Sequence, residues 1–180
     1  MKIQLPNVRL SFPSLFTHGT FNGDSTGKFE ATFILDEKDH ADAIKMLRSE
    51  IKKLIKEDLK GSKLGADRVC LQMGDQDRPE YEGKFTIKTS TKKRPMLINR
   101  DKTPIVEEDG VLYAGCYVNA IVSLWAQNNG YGKRINGQLD GIQFVRDGDA
   151  FGDAGISSDA FDAFETPTFD GPEEDDDMAW

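Results

Sequence analysis

One stretch with helical periodicity, set among segments that alternate at period two, constrains this chain more than any other feature. Across residues 39–60, Ile44, Leu47, Ile51, Leu54, Ile55 and Leu59 recur at three- and four-residue spacing and form one apolar stripe. The spacing predicts a helix of about five to six turns, with Asp39 and Asp42 favourable at its positive N-terminus and Gly61 as its stop. Its lysines, Lys45, Lys52, Lys53, Lys56 and Lys60, are interleaved with Glu50, Glu57 and Asp58, the mixed signs of a solvated face. Before the helix, Val8, Leu10 and Phe12 alternate with polar residues in a strand over 7–13 that Pro13 would end. A second strand over 28–36 places Phe29, Ala31, Phe33 and Leu35 on one side, and the two should pair antiparallel. After the helix, 62–77 reads as a loop, and strands follow from Lys84, over 116–126 and over 134–145. Such an order lacks the alternating β and α units of a doubly wound sheet. It predicts a mainly β fold with one inserted long helix (α+β), built as a small, partly open barrel.

The strand from Lys84 carries the clearest chemical signal. Lys84, Thr86, Lys88, Ser90 and Lys92 alternate with Phe85, Ile87, Thr89 and Thr91, so lysines and hydroxyls share one face and apolar residues the other. Lys93, Arg94, Arg100 and Lys102 extend the charge, giving seven bases and one acid, Asp101, between Lys84 and Lys102. A face kept for solubility would mix signs, as the helix does, so this one is read as a polyanion-binding face. In 116–126, Val118, Ala120, Val122, Leu124 and Ala126 form an apolar side, while Tyr117 and Trp125 stand with polar groups on the other. Residues 127–134 read as a hairpin loop that adds Tyr131, Lys133 and Arg134, and Tyr81 precedes the basic strand. Cations for phosphates together with aromatics for unpaired bases are what a single-strand binder needs, each stacked base contributing ~1–3 kcal/mol.

Charge is split along the chain. Residues 147–180 hold 12 acids and no base, leaving 23 bases against 19 acids in 1–146. This divides the chain into a basic domain, 1–146, and a flexible acidic tail, 147–180. The tail closes on Asp175, Asp176 and Asp177, then Met178, Ala179 and a terminal Trp180. An anionic tether beside a cationic groove competes with nucleic acid for it, and an aromatic on an acidic stalk suits a shallow, basic-rimmed pocket on a partner protein.

Other chemistries find little support. Cys70 and Cys116 are far apart and unaccompanied by a histidine cluster, so they read as buried thiols. His18 and His40 lie in a loop and at the helix start, assembling neither a zinc site nor a nucleophile system. The glycines of 127–134 do not follow the phosphate-loop spacing. With no signal-peptide pattern and no apolar run of spanning length, the expectation is a soluble, intracellular protein that contacts no membrane. A metal-dependent nuclease would have to use Asp101, Glu107, Glu108 and Asp109, which look like a loop, and an acidic DNA mimic would need its negative charge structured.

The early strands, the inserted helix, the basic run Tyr81-Glu82-Gly83-Lys84-Phe85-Thr86-Ile87-Lys88, the Gly115-Cys116-Tyr117-Val118-Asn119 start of a core strand and the acidic tail ending in Trp180 together resemble the OB-fold single-stranded-DNA-binding proteins of tailed bacteriophages. The tail also resembles those of the bacterial counterparts, although it lacks a proline before a final phenylalanine. The resemblance covers nearly the whole chain and implies sequence-independent binding of single-stranded DNA in phage replication or recombination, in the cytoplasm of the infected bacterium. It implies recruitment of replication proteins by the tail, no cofactor and no catalysis, and it leaves a homodimer open.

Overall fold

The computed structural model describes residues 1–74 and 81–151. The chain runs through β1 (Lys2–Ser14), a small hairpin of β2 (Thr20–Phe21) and β3 (Asp24–Ser25), then β4 (Phe29–Leu35) and α1 (Ala41–Glu57). It continues through β5 (Leu71–Met73), β6 (Phe85–Thr91), β7 (Met96–Ile98), β8 (Tyr117–Asn129) and β9 (Gly132–Arg146). Strands β6, β4, β1, β8 and β9 are neighbours in that order, and β9 returns to pair with β6. Every pairing around this ring is antiparallel except the last, in which Thr89 lies beside Gly137 and Ser90 beside Gln138 in parallel. The result is a five-stranded barrel of OB type, closed by a seam of two residue pairs. Gly137 makes the seam possible, since a Cβ there would lie 2.7 Å from the Lys88 carbonyl oxygen. Strands β5 and β7 flank the ring, on β6 and β9 respectively.

The barrel interior follows from the alternation. Ile3, Leu5, Val8 and Leu10 of β1, Phe33 and Leu35 of β4, Ile87 of β6, Val118 and Val122 of β8, and Ile135 and Leu139 of β9 are at most 1% exposed. Helix α1 lays Ile44, Leu47 and Ile51 on β1 and β8. It is shorter than its apolar stripe. At its start the Asp36 carboxylate accepts the Lys38 and Asp39 N–H groups, fixing a turn before Ala41. At its end Lys60 and Gly61 both take left-handed backbone, and the Gly61 N–H returns to the Ile55 carbonyl.

Four expectations from periodicity are corrected. Phe12 does not join Val8 and Leu10 inside: a register shift between Ser11 and Ser14 and a φ of 45° at Phe12 turn its ring outward, 51% exposed. The stretch 62–77 is not all loop, because its described part contains a turn of 3-10 helix (Ala66–Arg68) and strand β5. The hairpin between β8 and β9 has only Gly130 and Tyr131 outside the ladder, with Asn129 opposite Gly132. Fourth, the strand reading set Thr86 on an open lysine face, yet Thr86 is 4% exposed.

Candidate nucleic-acid interface

Strand register assembles a row of side chains on the outer face of the barrel. Thr32 of β4 stands opposite Lys88 of β6. Because Thr89 lies beside Gly137, Lys88 is level with Asn136 of β9, and Asn136 stands opposite Trp125 of β8. Lys88 is exposed and Trp125 is 44% exposed. Thr32, Lys88 and Asn136 of this row line an open groove of about 340 Å³, whose lining also includes Phe12, Glu30, Arg68, Gln72 and Arg134, with Trp125 outside it. The lining includes three cations, Lys88, Arg68 and Arg134, and two acids, Glu30 and Asp67, together with Thr32, Cys70, Thr89 and Gly137; Arg68 is already engaged, with Nε 3.9 Å from the Asp67 carboxylate and Nη1 donating to the Tyr131 carbonyl at 3.4 Å. Burial pushes the Cys70 thiol up to about 12, so it is a neutral, unreactive part of that lining.

The remaining sequence-predicted residues are dispersed. Tyr81 is 5% exposed, with its hydroxyl 2.7 Å from Ser11 Oγ. The Lys84 ammonium sits 2.8 Å from the Asp36 carboxylate, and that hydrogen bond, ahead of those from the Lys38 and Asp39 backbone, holds the Asp36 carboxyl well below the usual carboxylate range. Lys92, Lys93 and Arg94 are exposed in the turn after β6, with Arg94 5.8 Å from the Phe29 ring centre. Arg100 and Lys102 are exposed in the turn after β7, and Lys102 and Arg94 border a separate cavity of about 900 Å³. Tyr131 is 86% exposed at the tip of the β8–β9 hairpin, while Lys133 Nζ donates to Ser62 Oγ at 2.7 Å. Tyr117 is half-buried at the far end of β8 from Trp125, flanked by Arg146 at 3.8 Å and Arg9 at 5.6 Å. Asp175, Asp176, Asp177, Met178 and Trp180 lie outside the described residues.

Sequence reading missed Phe12, Arg68, Gln72 and Asn136. Pro13 was the usable signal for Phe12, since a proline within a strand marks an edge or a bulge. Arg68 enters the groove from a loop and offers no periodicity to detect. Two of the four carboxylates weighed for a metal site are engaged in turns: Asp101 accepts the Thr103 N–H and hydroxyl, and Asp109 accepts the Val106 N–H. Among the described residues no group of three or more His, Cys, Asp or Glu side chains could hold a metal ion, and no helix is long and apolar enough to cross a membrane.

Comparison with known proteins places this geometry. The sequence profile described as Enterobacter phage Enc34, ssDNA-binding protein, matches residues 1–178. The chain belongs to this family. The p50 protein of Acyrthosiphon pisum secondary endosymbiont phage 1 is 37% identical over 168 residues, 88% of this chain and 90% of that one. The solved single-stranded-DNA-binding protein of bacteriophage Enc34 in complex with ssDNA superposes with a TM-score of 0.75 at 26% identity, covering 84% of this chain and 89% of that chain. The same phage's protein in a second structure matches at 30% identity, with a TM-score of 0.71 and 89% of each chain covered. The gp2.5 single-stranded-DNA-binding protein of bacteriophage T7, at 11% identity and a TM-score of 0.56 over 87% of this chain and 97% of that chain, shares the fold. Members of the Enc34 family are thus phage single-stranded-DNA-binding proteins.

Proposed function

We propose that this chain binds single-stranded DNA without sequence preference across the outer face of β4, β6 and β9, during phage DNA replication or recombination in the infected cell. The observation that carries the reading is the row of Trp125, Asn136, Lys88 and Thr32 across adjoining strands, with Arg134 and Arg68 bordering the same groove. Lys88 and the two arginines neutralise phosphates, Trp125 offers a π-face to a base, and the exposed Lys92, Lys93, Arg94, Arg100 and Lys102 extend the positive field beyond the groove. Binding of this kind reads backbone and base planes, which every sequence presents. Residues 1–146 act as the binding domain. The acidic tail, 147–180, whose first residues 147–151 are anchored on the barrel, competes for the groove and recruits replication proteins through Trp180.

Titration of the intact protein with labelled oligo-dT over a salt series, with duplex competitor, tests the reading. About five neutralised phosphates give a slope of log affinity against log salt near −3.5. Deletion of residues 171–180 removes five acids and tightens binding, most at low salt where the screening length is long. A salt-independent affinity, or equal affinity for duplex, overturns the single-strand reading. Magnesium-dependent cleavage of the oligonucleotide supports a nuclease instead.

A further inference from the structure

We infer that the outer face of β1, β8, β9 and β7 around Gly141 is a contact surface for a second copy of this chain, which meets it across a two-fold axis. Strand register builds the face in rows. Gln4 stands opposite Ile121, Ile121 opposite Gly141, and Gly141 beside Met96. The next row sets Asn119 opposite Gln143 and Gln143 beside Ile98. These residues border an open groove of about 340 Å³, none of which is shared with the lining around Lys88. Met96 is 67% exposed and Ile121 39% exposed, and large apolar side chains gathered on one open face mark a surface that another molecule covers. Gly141, without a side chain, leaves a slot between them, one strand from each.

The chemistry of the face selects its occupant. In a chain with 30% charged residues, none of the described residues lining this groove is charged. Its amides are engaged internally: Asn119 Nδ2 donates to Gln143 Oε1 at 3.1 Å, Asn119 Oδ1 accepts the Asn7 N–H at 2.9 Å, and Gln143 Nε2 donates to the Asn99 and Arg100 carbonyls at 3.4 Å. DNA finds no cation there, and Asp175, Asp176 and Asp177 of the tail find no counter-charge. Two copies, each with a net charge of −8, meet with least repulsion where both surfaces are uncharged. A two-fold axis parallel to β9 at Gly141 sets Ile121 against the partner's Met96, and Met96 against the partner's Ile121, so the face complements itself. Four strands with two outward residues along each cover roughly 260 Å², and Met96 and Ile98 continue the surface into the cavity that Phe16 and Val106 also line. A standard interface buries about 800 Å² per partner, so the dimer forms reversibly as concentration rises.

Sedimentation velocity of the full chain without DNA, from about 1 to 200 μM at low and high salt, tests the contact. The average mass should rise from 20.1 kDa toward twice that value, and further at high salt, which screens repulsion between copies and leaves an apolar contact intact. Ile121→Lys and Met96→Glu should each weaken association about tenfold or more, with melting temperatures within about 3 °C of the intact protein because both side chains are exposed. Mixed in equal amounts, the two variants should associate again: the substituted positions meet as an ion pair, and the unchanged Met96 and Ile121 meet across the axis. A constant mass of 20.1 kDa for the intact protein under all these conditions overturns the contact. Association that vanishes at high salt, or on deletion of residues 171–180, overturns it in favour of the acidic tail of one copy reaching the basic groove of another. Single variants that associate like the intact protein, or a mixture that does not recover, overturn it as well.

Discussion

Two clusters of cations and aromatics occupy the two ends of β8, and they use the same residue types to opposite effect. At the Tyr117 end, Arg9 donates to the Gly115 carbonyl at 3.0 Å and to the Asp149 carbonyl at 2.6 Å, and its guanidinium lies 4.2 Å from the centre of the Phe151 ring. Arg146 covers Tyr117 from 3.8 Å. Tyr113 completes the cluster: its single hydroxyl proton lies within reach of both Gly148 O at 2.9 Å and Asp147 Oδ1 at 3.0 Å, and its oxygen accepts the Gly148 N–H. These bonds fasten residues 147–151 onto the barrel, and Gly115 is required there because a Cβ would collide with the Asp149 carbonyl. At the Trp125 end, the ring is 44% exposed beside Asn136, and Lys88 and Asn136 line an open groove. Eight residues of strand, about 27 Å, separate the two aromatics. Charge and aromatic content therefore do not mark a binding face by themselves. What marks it is donor capacity and ring surface left unspent by the chain's own backbone.

The largest expected effect breaks the comparison directly. Trp125→Ala should weaken oligo-dT binding by about 1–3 kcal/mol with an unchanged salt slope. Tyr117→Ala should lower the melting temperature while leaving affinity within twofold, since its ring is occupied by Arg9 and Arg146. Fluorescence sharpens the contrast: with Trp180 replaced by Phe, Trp125 emission should be quenched at saturation. Comparable affinity losses in Trp125→Ala and Tyr117→Ala would erase the distinction between the two ends.

Next comes Arg9→Ala. It removes two charge-assisted hydrogen bonds and two ring contacts, and should cost about 2 kcal/mol of stability. Urea unfolding monitors the loss, and oligo-dT affinity should not change. A stable protein with impaired binding would instead put Arg9 in the interface.

Lys88→Ala follows, at about 0.7 of a unit of salt slope for one lost phosphate contact, alike on every oligonucleotide sequence. A slope equal to that of the intact protein would move the strand's path off β6.

The pieces that were legible in the sequence are those set by local spacing. The α1 stripe, the β8 alternation and the outward position of Lys88 follow from period alone, whereas β4 is buried on both faces from Ala31 to Leu35. What escaped depends on partners distant in sequence. Lys84 reads like Lys88, but Asp36, 48 residues away, takes its charge. Tyr81 reads as an exposed aromatic, but Ser11, 70 residues away, takes its hydroxyl and β1 its surroundings. The seam needed Gly137 to meet Lys88 across the barrel, and a glycine in a strand announces close approach without naming what approaches. The bulge at Phe12 lies between the two: Pro13 marked an irregularity, and only the fold fixed which way the ring turned.

The smallest expected effect concerns Lys84, the spent cation immediately before β6. Its hydrogen bond is the main reason the Asp36 carboxyl is held below its ordinary range. A carboxyl with a depressed folded-state pKa contributes stability in full above the unfolded value, about pH 4, and that contribution is lost as pH falls from there toward the folded value. Lys84→Met removes the largest cause and brings the folded pKa back toward the unfolded one. Acid unfolding followed by circular dichroism should therefore have its midpoint at higher pH in Lys84→Met, with the two proteins differing above pH 4 and converging in stronger acid. The shift should be modest, because the pair is partly exposed and screened by solvent. The salt slope for oligo-dT should match that of the intact protein, since Lys84 is engaged with Asp36 rather than open to phosphate. A slope reduced as in Lys88→Ala, with an unmoved acid midpoint, would show Lys84 leaving Asp36 for DNA and would extend the open face along the whole of β6.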